Sequence, residues 1–260
     1  MSWALKRQLI FITTLLLLIA GFAYLVVIPH IKNIPTCTDG KQNGDEKGID
    51  CGGSCEKACL FEVDEVSVLW SRVFKVVEGR YNAITYLENH NPTNASRKIK
   101  YRFRFADKDN IYIGKRDGET VIPPSGKFAV FEPAIDFANS IPVYVTFEFT
   151  ELPFWENVPE DKLKDIKIFV SDIKLQNSST NPHLMANIKN TSMFIIPDID
   201  VIAILYDEEG NAITASKTYI EKLGRGEEVA LNFTWPEPIF QNVIVKEIIP
   251  TYNIFEAKLK

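Results

Sequence analysis

The chain reads as an all-β protein in which two tandem β-sandwiches stand behind an N-terminal transmembrane helix and a disulfide-rich stalk. Three observations predict this. An uncharged run of about twenty residues, Leu9 to Ile28, opens the chain, and all four cysteines lie between Cys37 and Cys59. Beyond Cys59 apolar and polar residues alternate, with turn signals every eight to fifteen positions.

At a rise of about 1.5 Å per residue, Leu9 to Ile28 spans the roughly 30 Å hydrocarbon core of a bilayer. A cleavable signal peptide has a shorter apolar core that ends in small residues. Here Tyr24, Leu25, Val26 and Val27 occupy that end, so the reading is a retained anchor. Lipid attachment at Cys37 fits less well, because Pro35 and Thr36 precede it and it lies well beyond the apolar run. Lys6 and Arg7 precede the helix, and the cysteines behind it call for an oxidising compartment. The expected topology is single-pass in the cell membrane, with the N-terminus cytoplasmic and everything after Pro29 extracytoplasmic. The boundaries read as tip and helix 1–30, stalk 31–60, first sandwich 61–152, linker 153–165 and second sandwich 166–260.

In the stalk, Cys37, Cys51, Cys55 and Cys59 are separated by 13, 3 and 3 residues. Apart from them the segment offers only Ile49 and Ala58 to a core, far too little apolar surface to offset chain entropy. Asp39-Gly40, Asn43-Gly44 and Gly52-Gly53 are turn dipeptides, so the segment is a knot of turns tied by two disulfides, with three connectivities open. Zinc would need a second Cys knuckle beside Cys55-x3-Cys59, and Cys37 and Cys51 are too far apart to form it. Calcium is the other metal to weigh. Asp39, Asn43, Asp45 and Asp50 fall at positions 1, 5, 7 and 12 of an EF-hand-like count, although Lys41 and Lys47 occupy positions 3 and 9. No other cofactor is expected. The string Cys-x-Asp-Gly-x-x-Asn-Gly-x-Glu-x-Gly-x-Asp-Cys-Gly-Gly-x-Cys, Cys37 to Cys55, resembles a short cysteine motif of secreted and surface-anchored bacterial proteins. That resemblance supports the address and implies no activity.

Strands are read at Val66 to Val76, Tyr81 to Leu87, Lys98 to Phe105, Val143 to Phe149, Ile166 to Leu175, Leu184 to Ile188, Ile199 to Tyr206, Val229 to Trp235 and Val243 to Ile249. An internal repeat divides them. A strand ending at Asn89 is followed by one ending at Asp107, and a strand ending at Asn190 by one ending at Asp207. Pro153 and Pro159 interrupt the pattern between the copies, where Phe154 and Trp155 are expected to pack in the domain junction. The second copy, with Leu205-Tyr206-Asp207, resembles the bacterial extracytoplasmic FxLYD domain. Ala203 replaces its Phe, while the first copy keeps Phe103 and Asp107. The resemblance implies an immunoglobulin-like sandwich and suggests no catalytic residues.

Only His30, His90 and His183 are present, none beside a nucleophile in a recognisable motif, and phosphate loops and nucleophile elbows are missing. The acidic pairs Asp107/Asp109 and Asp198/Asp200 read as solvated turns. No catalytic residue is therefore assigned. A cell-wall or glycan-processing hydrolase, which needs a deep carboxylate-lined cleft, is the alternative from another class, and a calcium-stiffened stalk is a third reading.

The functional lead is a strand with strict alternation. Lys98, Lys100, Arg102 and Arg104 share one face at steps of about 7 Å. Such a row attracts a protein partner or an anionic polymer unless Glu88, Glu148 or Glu151 on neighbouring strands compensates it. Without Lys6 and Arg7, the remaining 27 basic residues face 34 acidic ones, a net charge of −7 that argues against nucleic acid. The second copy carries Asp198 and Asp200 where the first has its cations, which allows self-association. The expected role is binding or scaffolding in an envelope or surface assembly. Asn-x-Ser/Thr at Asn94, Asn177, Asn190 and Asn232 is too common a motif to assign glycans.

Overall fold

The computed structural model describes residues 3–32, 36–138 and 140–259. It forms two compact units, Met1–Cys55 and Glu56–Lys260.

The first unit begins with helix α1, Trp3–Lys32, whose Trp3–Val27 portion is long and apolar enough to cross a membrane. Thr13 and Thr14 donate their hydroxyls to the carbonyls of Leu9 and Ile10 at 2.7 and 2.8 Å, so neither leaves an unpaired polar group on the apolar surface. Membrane anchors and signal segments share this length and composition. Ile34 and Pro35, which bear on lipid attachment, lie outside the described residues.

The cysteine-rich segment is a series of turns without regular structure. All four cysteines are oxidised, in the interleaved pairs Cys37–Cys55 and Cys51–Cys59. Carboxylates do the remaining work. Asp50 accepts the Gly40 N–H, Asp45 accepts both the N–H and the hydroxyl of Ser54, and Glu46 accepts the Asn43 N–H at 3.1 Å. Gly53 adopts a φ of +60°, and a Cβ there would fall 2.2 Å from the Asp45 carbonyl oxygen, so no other residue fits this turn. Ile49, one of the two apolar residues available to a core, is exposed, whereas Ala58 is buried in the first sandwich.

The second unit contains both sandwiches, all of whose strand pairings are antiparallel. In the first, β1 (Ser67–Val77), β2 (Arg80–Asn89) and β5 (Gly126–Asp136) form a sheet in the order β1-β2-β5. Facing it, β4 (Tyr112–Ile122), β3 (Asn94–Ala106) and β6 (Tyr144–Phe149) form a sheet in the order β4-β3-β6, and the short β7 (Glu156–Asn157) adds to the start of β3. Between the sheets lie Leu87, Phe103, Phe105, Phe128 and Val130. A short helix, α2 (Glu160–Asp165), leads to the second sandwich. There β8 (Ile168–Gln176), β9 (His183–Asn190) and β12 (Glu228–Thr234) face β11 (Ala212–Leu223), β10 (Phe194–Tyr206) and β13 (Val245–Thr251), with β14 (Lys258–Leu259) added to β10. The strand orders β12-β9-β8 and β11-β10-β13 reproduce those of the first copy element for element.

The repeated Asn and Asp explain why the same topology recurs. The Asn89 amide donates to the carbonyls of Asn94 and Pro123, while its oxygen accepts the Asn91 N–H. Asn190 repeats this with the carbonyls of Phe194, Leu223 and Gly224 and the N–H of Ser192. Each fully buried Asn thus ties the turn after its own strand to a strand of the facing sheet, satisfying backbone groups that water cannot reach. Asp107 accepts the N–H groups of Asp109 and Ile111, and Asp207 accepts that of Asn211, closing equivalent turns.

The two sandwiches meet through sheet faces. Ile84 and Tyr86 of β2, with Ala129 and Phe131 of β5, pack on Ile202 and Ile204 of β10, Ala215 of β11 and Ile249 of β13. Polar groups frame this contact: Glu247 accepts the hydroxyls of Tyr86 and Tyr206 at 2.6 and 2.8 Å, and Arg72 donates to the Ala212 carbonyl at 3.0 Å. Trp70 lies against both tyrosine rings. A second contact runs along the linker, where Ala95 and Val158 join the core of the second sandwich and Lys162 donates to the carbonyls of Ile254 and Phe255. Trp155, expected in the junction, is instead buried in the core of the first sandwich, and Phe154 is exposed. The Trp155 carbonyl accepts the Ala58 N–H, which draws that ring into the first core.

Replacing the buried junction residue Ile204 with Ala removes packing between the sandwiches and should destabilise the protein by about 2–4 kcal/mol. Arg104→Ala, at the equivalent position of the first copy, should cost at most about 1 kcal/mol. Chemical denaturation of the two variants checks the difference.

Candidate binding face

The basic strand is β3, the centre of the sheet β4-β3-β6, and its cations point away from the core as alternation requires. The structure does not leave them as a row of like charge. Lys98 pairs with Glu119 at 2.6 Å, Lys100 with Glu151 at 3.6 Å, Arg102 with Asp117 at 2.6 Å and Arg104 with Glu148 at 2.7 Å. Lys115 adds a second cation to Asp117 at 3.0 Å. Two of the three carboxylates anticipated as partners, Glu148 and Glu151, take that role, whereas Glu88 lies on β2 in the opposite sheet.

Asp117 and Glu119 come from β4, a strand that the alternation pattern misses. Its sequence Tyr-Ile-Gly-Lys-Arg-Asp-Gly-Glu-Thr-Val-Ile has two glycines and a charged middle, so it lacks the period of two. Gly118 is required there because a Cβ would fall 2.4 Å from the Tyr101 hydroxyl. That hydroxyl donates to buried Glu132 at 2.7 Å, and Arg116 pairs with the same carboxylate at 3.0 Å. Burial, followed by the hydrogen bond to Glu132, raises the Tyr101 pKa well above its ordinary value. The group is a satisfied internal pair beneath the face.

Register aligns the face in rows across the three strands. Tyr112, Ala106 and Tyr144 form one row, followed by Lys115, Arg104 and Thr146, then Asp117, Arg102 and Glu148. Five cations share four carboxylates on it, so the surface offers donors and acceptors with a surplus of one positive charge.

The same positions in the second copy carry different chemistry. Ile202, Ile204, Ala215 and Ile249 of the junction stand where Arg102, Arg104, Lys115 and Glu148 stand in the first copy. Conversely, Ile84, Tyr86 and Phe131 of the junction correspond to Met185, Asn187 and Asn232 on the free face of β9 and β12. One face type of each copy is therefore apolar and covered, while its twin in the other copy is largely polar and open.

The remaining predicted groups are separately engaged. In the stalk, Asp39 accepts the Lys41 N–H and the Asn43 amide, the latter being the main reason its pKa is lowered, and Ser54 lowers that of Asp45. Asp50 faces Gly40. The described residues contain one potential three-ligand group, Cys37, Glu46 and Cys55, but its two sulfurs belong to a disulfide. Asp198 accepts the Tyr219 hydroxyl, whose pKa this bond pushes up to about 12, and Asp200 pairs with Lys217. His90 lies 3.2 Å from the Ser67 hydroxyl, and His183 lies 3.1 Å from the Asn232 side-chain oxygen.

No family model and no curated protein matches this chain. Among solved structures, the crystal structure of red sea bream transglutaminase is similar over 72% of this chain and 31% of its own length, at 10% identity and a TM-score of 0.22. A likeness so slight carries no argument about fold or function.

Arg102 first and Lys115 second lower the Asp117 carboxyl to about 2, so it is half ionised at that pH and almost wholly ionised in the neutral range. Arg102→Ala should move the Asp117 midpoint up, part of the way to the ordinary value of about 3.9, because Lys115 remains. A carboxyl-carbon NMR titration reads this directly, and an unmoved midpoint would remove Arg102 as the cause.

Proposed function

We propose that this protein is a membrane-anchored, extracytoplasmic binding or scaffolding component of an envelope or surface assembly, with no catalysis of its own. The observation that carries the reading is the docked tandem. Two sandwiches fused through an apolar junction hold broad polar sheet faces open on either side, behind a membrane-length helix and an oxidised cysteine segment. Large covered junctions of this kind fix the relative position of modules, which a display or bridging protein needs. The disulfides favour an oxidising compartment for the sandwiches, and the bulky Tyr24-Leu25-Val26-Val27 end of the apolar run favours a retained anchor over a cleaved signal. The face of β4-β3-β6 is the surface offered for docking, to a partner that takes up its accessible paired donors and acceptors and not a row of like charge.

Two measurements test this. Alkaline extraction of native membranes should leave the full chain in the membrane pellet, and its release would overturn the anchor. After gentle solubilisation, the wild type should migrate in a particle whose protein mass, with bound detergent subtracted, exceeds its own 29.6 kDa. The variant Lys100→Glu/Arg102→Glu, which sets like charges against Glu151 and Asp117, should run alone. A wild type that runs alone would sink the scaffold reading.

A further inference from the structure

The end of this face nearest the β3–β4 turn has a feature that the charge pattern does not explain. Tyr112 and Tyr144 both pair with Ala106 from opposite sides, and they are 60% and 53% exposed. Two large aromatic rings thus lie in the open on either side of a small residue, two strand spacings or about 10 Å apart. In the second copy the equivalent row is Ala212, Tyr206 and Val245, and it is in part sealed against the first sandwich by Trp70 and Arg72. Copy one has the larger aromatics at both outer positions and leaves them uncovered.

The next two rows supply planar hydrogen-bonding groups. Arg104 donates to Glu148 and Arg102 to Asp117, so guanidinium and carboxylate groups lie side by side on the sheet, with Thr146 and Lys115 beside them. Vicinal hydroxyls match such paired donors and acceptors, and the apolar faces of pyranose rings match exposed phenol rings. The separation of the two tyrosines suits alternate rings of an extended β-linked chain laid across the strands. A polyanion would find Lys98, Lys100, Arg102, Arg104 and Lys115 already sharing Asp117, Glu119, Glu148 and Glu151, with a surplus of only one positive charge to attract it. An apolar protein surface would have to desolvate every one of these pairs, at a cost that their mutual attraction does not offset. A neutral, hydrated polymer has neither difficulty.

We infer that Tyr112 and Tyr144, with the Arg104–Glu148 row beside them, form a platform for a neutral β-linked glycan strand. The inference rests on the binding reading above and gives it a ligand class. The full-length protein in detergent micelles is titrated calorimetrically with hexasaccharides of β-1,4-linked glucose and of β-1,4-linked N-acetylglucosamine. At least one should bind saturably. Tyr112→Ala and Tyr144→Ala should each weaken it about fivefold and the double variant about 25-fold, with melting temperatures unchanged because both side chains are more than half exposed. Phe169→Ala, an exposed aromatic of the second sandwich, should leave binding intact and serves as the control. Failure of both hexasaccharides to bind, or undiminished binding by the double variant, would overturn the platform. If the large membrane particle survives the double tyrosine variant while neither hexasaccharide binds, the glycan assignment falls and the scaffold reading stands.

Discussion

Strands β2 and β10 are apolar on both faces, and the arrangement of the sandwiches follows from that constraint. One face of each fills its own sandwich, with Ala83 and Leu87 in the first core and Ile199, Val201, Ala203 and Leu205 in the second. The other face, Ile84 and Tyr86 against Ile202 and Ile204, has no partner within its own sandwich and must be covered from outside. Burying such side chains contributes about 1.5–3 kcal/mol each relative to leaving them in water. The two copies therefore associate through these faces, and Val158 and Lys162 of the linker add a second contact.

The contact joins non-equivalent surfaces, the β1-β2-β5 face of one copy and the β11-β10-β13 face of the other. Repeated without change, a head-to-tail interface of this kind would continue into an open stack. The chain stops it by chemistry. Isoleucine and alanine positions on the repeated face become Arg102, Arg104, Lys115 and Glu148 at one end, and aromatic or aliphatic positions become Asn187, Asn232 and Met185 at the other. Terminal repeats in stacked architectures use polar outer faces in the same way. The ion-paired ladder is thus first a solubilising end face, and any recognition it performs is built on that.

The cysteine segment follows different physics. Its one free apolar side chain, Ile49, is exposed, and carboxylates cap its turns. Acceptors of that kind replace a core with local hydrogen bonds, while the disulfides limit the unfolded alternatives.

Much of this was legible in the residues. The apolar run specified α1 because membrane length is a local property, and the clustered cysteines specified an oxidised knot because so little apolar surface accompanied them. Alternation located β1, β2, β3, β6, β8, β9, β10, β12 and β13, and the recurring Asn and Asp marked the repeat, the Asp by closing its own turn and the Asn by repeating one tie to the facing sheet in each copy. Tertiary structure decided what sequence periodicity does not encode. A period of two says that a strand has two faces; it does not say which neighbour flanks it or what covers the second face. The interleaved cysteine pairing, the acidic partners on glycine-broken β4, the inward turn of Trp155 and the docking of β2 on β10 all depend on segments far apart in the chain. Only the folded backbone brings them together.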